Sequence, residues 1–439
     1  MWAQETNHHR AQGCRALKKL IVLPLLILLL PIHIEERGRA DVGVSAIDRI
    51  EAPKPLLALS DYLDAIRTRG ENPDDQGVLI ETLDRSQVLA EHNSNVTFNP
   101  ASVMKLATSL VALSKLGPDY RYRTNFLADG SIESSSHKLE GDLVVEGGAD
   151  PVFALYDAQE VASQLSRLGV SRVTGSLRIA GQFYYFATGY HSNLSPETSA
   201  AKLREALQRG GVKIEGATTF GEKSGTILLS HYSDPLLSIL LFQNSHSSNA
   251  IAEVVGASLG GPQAIQEYLV KHLGLSESEI FVGRASGLDF NRLTPRAALK
   301  VLRALITELA DHSLKPEDGM AVAGIDSGTL RKRLFREDLR GSVVAKTGTL
   351  NSLDNGVSTL VGIAYTKAHG PVLFAMFNSG GNVRAYRRLQ DQFVEQIIAE
   401  SGGAVSVARN EDALGDTTRH SIVQVLYKPG GQSAEATAD

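Results

Sequence analysis

Phe98-Asn99-Pro100-Ala101-Ser102-Val103-Met104-Lys105 is the stretch from which the rest of the chain can be read. Pro100 suits the first turn of a helix running to Leu116, and Gly117-Pro118 is the expected stop. A spacing of three places Ser102 and Lys105 on one helical face, close enough for a lysine amine to take the serine proton. An exposed lysine would stay charged and fail as a base, so burial or a second cation must lower its pKa. The helix N-terminus adds a positive dipole beneath the place where an oxyanion would develop. A four-residue pattern of this kind arises by chance about once or twice in a chain of this size. Ser135-Ser136-His137-Lys138 is such a decoy, set in a polar Ser-rich loop with no helix start and no apolar face.

Two further patterns follow in order. Ser247-Ser248-Asn249 lies between helical segments, where a hydroxyl can relay protons and an Asn amide can hold a substrate carbonyl. Alone it is indistinguishable from an ordinary helix cap. Lys346-Thr347-Gly348-Thr349 continues the strand-like run Gly341 to Ala345, so Lys346 and Gly348 share one face and Thr347 takes the other. The lysine and a threonine hydroxyl could bind a carboxylate. Gly348 would leave room for a peptide laid against the strand edge as an added strand. The order Ser-x-x-Lys, Ser-x-Asn, Lys-Thr-Gly, each on a suitable element, is the signature of serine β-lactamases and penicillin-binding proteins.

Working outward, apolar residues at helical spacing predict a helix over Leu56 to Arg67. Gly77–Leu83 and Gln87–His92 read as a hairpin turning at Asp84-Arg85-Ser86. From about Asp119 to Ser224 the texture changes to short β-like runs, clearest at Leu139–Glu146 and Val173–Ala180, interrupted by helical pieces at Asp157–Leu168 and Pro196–Gly210. Helical patterns resume over Pro235–Leu259 and Arg296–Ala310. Strand-like runs Val343–Thr349, Ser358–Thr366 and Val372–Asn378 then precede a helix at Arg384–Ala399. The fold expected is α/β (α+β), an antiparallel sheet sandwiched by helices, with a smaller β-rich inserted domain. The divisions expected are 1–50, an export signal or anchor with linker; 51–118 plus 225–400, the catalytic domain; 119–224, the insertion; and 401–439, an accessory or disordered tail with one apolar patch at Ile422 to Leu426.

Composition narrows the function. An apolar fraction of 43% and a charged fraction of 21% are those of a globular protein, and a net charge of −5 offers no nucleic-acid footprint. Arg10, Arg15, Lys18 and Lys19 precede an apolar run of 13 residues, Leu20 to Ile32. That is short of the about 20 residues a spanning helix needs but suits a signal-peptide core. Gly38-Arg39-Ala40 and Val44-Ser45-Ala46 are cleavage candidates. The expected location is periplasmic or otherwise extracytoplasmic, with membrane contact through this segment if it is retained. The single cysteine, Cys14, lies upstream of the apolar run, so a cleaved chain would hold no disulfide, thiolate nucleophile or cysteine-ligated zinc. The 12 histidines include no His-Glu-x-x-His spacing, and neither metal nor cofactor is expected.

The likeness extends beyond the three motifs. Phe98 to Lys105, Gly141-Asp142-Leu143 with Gly147-Gly148-Ala149-Asp150-Pro151, Ala323 to Leu330 and Ala345 to Leu350 together resemble the low-molecular-mass class C penicillin-binding proteins. These are the peptidase S13 family of D-alanyl-D-alanine carboxypeptidase/endopeptidases. The resemblance covers about Leu56 to Glu400. It implies that Ser102 is acylated, Lys105 is its base and Ser247 passes the proton to the leaving D-alanine. It further implies that Asn249 binds the penultimate carbonyl, and that Lys346 and Thr347 anchor the terminal carboxylate. Backbone N–H groups of Ser102 and Thr349 would form the oxyanion hole. Partners implied are the peptidoglycan stem peptide and, as covalent inhibitors, β-lactams. The chain departs from the family pattern Asp-Gly-Ser-Gly-Leu-Ser-Arg, carrying Arg284-Ala285 and Asp289-Phe290 around Ser286-Gly287-Leu288. It has Ser248 where Asp is commoner, and extra residues Ser352 to Asn355 after Lys-Thr-Gly-Thr. A serine β-lactamase or esterase on the same fold, with efficient deacylation, is one alternative; a weakly catalytic wall-binding or antibiotic-sensing protein, motivated by the altered Ser-Gly-Leu segment, is the other.

Overall fold

Residues Val343–Leu350, Val357–Thr366 and Gly370–Asn378 are buried along nearly their whole length, so neither face of the sheet they build meets water. The computed structural model describes residues 56–187, 193–407, 411–414 and 420–428, all within the unit Ala52–Asp439. The N-terminal apolar run, its cleavage candidates and Cys14 lie outside the described residues.

The described residues open with α1 (Ala58–Thr68), the hairpin β1 (Gln76–Thr82) and β2 (Val88–His92), and a 3-10 turn (Ala101–Val103) leading into α2 (Met104–Leu116). There follow β3 (Arg123–Glu133), β4 (Lys138–Gly148), α3 (Leu155–Arg167), β5 (Arg172–Val173), β6 (Leu177–Gln182), α4 (Pro196–Arg209), β7 (Lys213–Ile214), β8 (Thr218–Phe220) and β9 (Thr226–Tyr232). Next come α5 (Leu236–His246), α6 (Asn249–Ser258), α7 (Gly261–Leu273), β10 (Ile280–Phe281), β11 (Arg292–Leu293), α8 (Pro295–Asp311), α9 (Pro316–Gly319) and β12 (Ala321–Val322). The last elements among the described residues are β13 (Val343–Leu350), β14 (Val357–Thr366), β15 (Gly370–Asn378), α10 (Val383–Glu400) and β16 (Ile422–Val425).

The six-stranded sheet has the order β12-β13-β14-β15-β1-β2, antiparallel throughout. Its period-two alternation sorts side chains between two cores. Val344, Val361, Leu373 and Phe377 pack under α2, α5, α6, α7 and α8. Val343, Leu360, Phe374 and Met376 pack against α1 and α10, where Tyr62 stacks on Phe393. The expected antiparallel sheet between helices is therefore the fold found. Helix α2 is buried on almost every side, as an interior helix must be when others surround it, and ends at Gly117, whose φ of +80° ends the helix without a Cβ penalty. Strand β12 pairs only with Val344 and Ala345, so the outer edge of β13 from Lys346 onward has no strand partner among the described residues.

A second, mixed sheet has the order β16-β9-β3-β4-β5-β7, with β6 joined to β4 and β8 joined to β6. Pairs β4–β5, β4–β6, β5–β7 and β6–β8 are parallel, and α3 and α4 close onto them over a separate core of Leu143, Phe153, Leu165, Leu177 and Leu203. Three local readings change. The run Val173–Ala180 is two short strands, because a Cβ at Gly175 would lie 2.2 Å from Asp142 Oδ1 and 2.5 Å from Gly141 O. The helical run Pro235–Leu259 is two helices, broken where Ser247 takes φ +56°. Helix α7, after the breakers Gly260-Gly261-Pro262, was not expected; Pro262 occupies its first turn, where no N–H is missed. Among the described residues no helix is long and apolar enough to cross a membrane.

Candidate active site

The nucleophile region is a tight turn before it is a helix. Asn99 Oδ1 accepts from Ala101 N at 3.0 Å, and Asn99 Nδ2 donates to Asp289 O at 3.0 Å. Ala101 is held at φ +47°, a conformation that L-residues adopt only when the surroundings impose it. From strand β14, Thr359 Oγ1 donates to Pro100 O at 2.9 Å. Ser102 therefore sits in the 3-10 turn and Lys105 in the first turn of α2, one step later than a helix starting at Pro100 would place them.

The three-residue spacing does what it predicts. Lys105 Nζ lies 2.9 Å from Ser102 Oγ, 2.7 Å from Asn249 Oδ1 and 2.6 Å from Ser286 O. Lys105 is fully buried. Burial pushes its amine down to about 7, against the opposing pull of the Glu253 carboxylate. The amine is thus near the point where both proton acceptance and proton return are accessible at neutral pH.

Ser247 caps the end of α5 in the left-handed region, φ +56° and ψ +39°, which turns its hydroxyl out of the helix. Its Oγ accepts from Lys346 Nζ at 2.9 Å, and Lys346 Nζ also donates to Thr347 O at 2.6 Å. Lys346 is buried, and desolvation together with the charge of Lys105 holds it well below the ordinary lysine value. Two amines in one desolvated site disfavour the doubly charged state. Ser248 N-caps α6 by accepting from Ile251 N, so its position calls for a capping oxygen that Ser supplies as Asp would.

Strand β13 carries the last motif. Lys346 and Gly348 face the nucleophile turn, and Thr347 and Thr349 face the layer of α10. A Cβ on Gly348 would fall 2.1 Å from Thr359 Oγ1 and 2.7 Å from Pro100 O. The space it leaves is thus filled by the nucleophile turn, which corrects the expectation that a peptide would occupy it. Thr347 Oγ1 donates to Thr329 Oγ1 at 2.9 Å, and Thr349 Oγ1 accepts from Arg387 Nη2 at 2.7 Å.

The eight residues expected at the site come together through these contacts. Sequence reasoning missed the Ser286 carbonyl on Lys105, the Glu253 carboxylate that accepts from Ser286 N at 3.1 Å, and the hydroxyls of Thr329 and Thr359. Ser286 lies in the segment quoted for its departures from the family pattern, and its backbone oxygen carries no sequence signal. The departures around it are internally matched. Arg284 pairs with Glu253 at 3.3 Å and Asp289 at 3.4 Å, and buried Ala285 fits because residue 256 is Gly, whose Cβ would be 2.2 Å from Ala285 Cβ. The extra segment after Lys-Thr-Gly-Thr is tied back through Asp354 to Arg292 at 3.2 Å.

Comparison with known proteins follows the same lines. The model of the D-Ala-D-Ala carboxypeptidase 3 (S13) family matches residues 59–184 and 186–399. The D-alanyl-D-alanine carboxypeptidase DacB of Haemophilus influenzae is 24% identical over 417 aligned positions, covering 69% of this chain and 85% of the relative. Carboxypeptidase DacB of Mycolicibacterium smegmatis is 26% identical over 395, covering 77% and 84%. In fold, the chain is similar to Bd3459, a predatory peptidoglycan endopeptidase from Bdellovibrio bacteriovorus, with a TM-score of 0.65 and 23% identity over 76% of this chain and 95% of that one. A penicillin G-acylated form of Bd3459 is also similar, with a TM-score of 0.62 and 24% identity over 76% and 95%.

Proposed function

The chain belongs to the D-Ala-D-Ala carboxypeptidase 3 (S13) family, and from that premise we propose that it cleaves D-Ala-D-Ala peptides of the bacterial cell wall through an acyl-enzyme on Ser102. It is a serine-type D-Ala-D-Ala carboxypeptidase inhibited by penicillins, and DD-endopeptidase action is open to it because both use the same acylation step. The observation that carries the assignment to Ser102 is the 2.9 Å contact between its Oγ and the buried amine of Lys105.

The neutral amine of Lys105 takes the Ser102 proton, and Oγ attacks the carbonyl carbon of the penultimate D-alanine. The negative charge that develops on the carbonyl oxygen is met by the N–H groups of Ser102 and Thr349. The C–N bond breaks as the Ser247 hydroxyl gives its proton to the leaving amine and takes one from Lys346 Nζ, 2.9 Å away. Asn249 holds the substrate backbone on the acyl side of that carbonyl, and Lys346 and Thr347 receive the terminal carboxylate. Gly348 keeps β13 seated on the nucleophile turn. Water then attacks the ester and the proton transfers reverse. This chemistry belongs to the split domain read as 51–118 with 225–400, although the core of the insertion runs past residue 224 through Leu228 and Leu229 of β9, and Tyr122 and Val152 join the core around α2. Export by the N-terminal segment, with membrane contact where that segment is retained, puts the enzyme with its polymeric substrate outside the cytoplasm.

Labelled penicillin and a D-Ala-D-Ala peptide, offered separately to the purified protein, test the reading. A long-lived label on Ser102 together with D-alanine release is the expected result. Rapid loss of label would indicate a β-lactamase, label without peptide turnover a sensor, and labelling that survives Ser102→Ala would overturn the assignment.

A further inference from the structure

Beyond Ala345 the free edge of β13 is flanked on its α10 side by a row of hydrogen-bonding groups. Thr329 N and Oγ1 both donate to Ser245 O, which fixes the Thr329 hydroxyl as acceptor for Thr347 Oγ1. One step along the same face, Arg387 Nη2 donates to Thr349 Oγ1 at 2.7 Å. Arg387 is anchored from behind, since Arg333 Nη2 donates to its backbone oxygen at 3.1 Å while Arg333 pairs with Asp391 at 2.7 Å. No ion pair to Arg387 or Arg384 is formed among the described residues. The nearby carboxylate of Asp391 is already engaged by Arg333. An exposed guanidinium is therefore held beside two others, with Nη2 turned to a hydroxyl on β13. Desolvation and the charges of Arg333 and Arg384 hold Arg387 below the ordinary arginine value, the condition an incoming anion would relieve.

Resting on the acyl-enzyme reading above, we propose that Arg387 is a positioning residue for the substrate's terminal carboxylate, acting through Thr349. By occupying a lone pair of Thr349 Oγ1, the guanidinium leaves the hydroxyl proton to point outward along the strand edge. Its charge strengthens that donor toward an anion. Thr349 then donates to a carboxylate oxygen, with Thr347 beside it. The α-carboxylate next to the scissile amide and the carboxylate of a penicillin are the same chemical group for this ledge, and a neutral carboxamide or ester end is not.

The experiment compares Arg387→Gln and Arg387→Lys with the unmodified enzyme. The substrates are a D-Ala-D-Ala peptide with a free carboxylate and the same peptide ending in D-alaninamide. Penicillin G and its methyl ester serve as acylating agents in parallel. Arg387→Gln is expected to lower kcat/KM for the acid, and the acylation rate with penicillin G, by about 10- to 100-fold, the scale of one charge-assisted hydrogen bond. For the peptide the loss should fall mainly on KM. The amide and the ester should change by no more than about 3-fold, the scatter expected where no carboxylate interaction is lost. Arg387→Lys should recover part of the loss, keeping charge without the planar fork. Equal losses on charged and neutral reagents would mean a merely structural role and overturn the proposal, as would an unchanged rate with the acids. If the unmodified enzyme releases no D-alanine but is labelled by penicillin, the penicillin pair alone decides. Failure of both reactions in the unmodified enzyme would sink the acyl-enzyme reading, and this inference with it.

Discussion

Lys105 shows how much chemistry one side chain's surroundings can supply. Its spacing from Ser102 is visible in the sequence, but its usefulness as a base depends on burial, which brings it to about 7. Acylation should therefore rise with pH as Nζ loses its proton and fall about tenfold per unit well below that value. A pH profile of kcat/KM measures this directly. Glu253 favours the charged amine, so Glu253→Gln should move the acid limb to lower pH; a shift the other way would contradict the assigned cause. Stability has a linked sign. With the folded-state pKa below that of an unfolded lysine, the unfolded chain binds more protons between the two values, and this group's destabilising effect fades as pH rises from about 7. Ser102, Lys105, Ser247, Asn249, Lys346, Thr347, Gly348 and Thr349 were legible because their chemistry requires those residue types in that order. Glu253, Thr329 and Arg387 were not, since each acts on a motif residue from a distant segment.

At the scale of elements, the site is a turn clamped between a strand and a loop. The Pro100–Ala101 turn presses on Gly348 of β13 from one side and on Gly287 from the other, where a Cβ would lie 1.9 Å from Ala101 O. Gly287 also has φ +78°, which an L-residue would strain to adopt. Gly287→Ala is therefore expected to cost about 1–3 kcal/mol of stability. It should also slow penicillin labelling by about 10²-fold, because a displacement near 1 Å is enough to misalign the nucleophile. Denaturant melts and labelling rates check both, and normal labelling would show that the loop yields without moving Ser102. The expected helix start at Pro100 gave way to a 3-10 turn for the same reason. The tertiary contacts on Pro100 O and Asn99 hold Ala101 in a left-handed conformation that no helix continues through.

Across the whole molecule, the two faces of the six-stranded sheet could be assigned in principle from strand periodicity, but their partners could not. The apolar patch at Ile422 became strand β16, an edge strand paired with β9. Ser421 Oγ donates to Asp157 Oδ1 at 2.8 Å, and His420 N donates to Asp234 Oδ1 at 2.6 Å. Ending the chain at residue 419 should lower stability by about 1–3 kcal/mol. Penicillin acylation should stay within about twofold, since β16 belongs to the sheet that does not carry Ser102. Thermal melting with labelling of the shortened chain tests this, and an unchanged melting temperature would refute it. The pairing was illegible because four residues of weak alternation have many compatible edges until the sheet exists. By itself the sequence determined the reaction class and the helix-flanked sheet, because acyl transfer by a serine–lysine pair demands particular groups at particular spacings. Only the tertiary structure decided that Lys346 meets Ser247, how far each lysine is stripped of water, and that Arg387 reaches Thr349. Desolvation and long-range charge depend on neighbours brought from hundreds of residues away, and no local pattern encodes them.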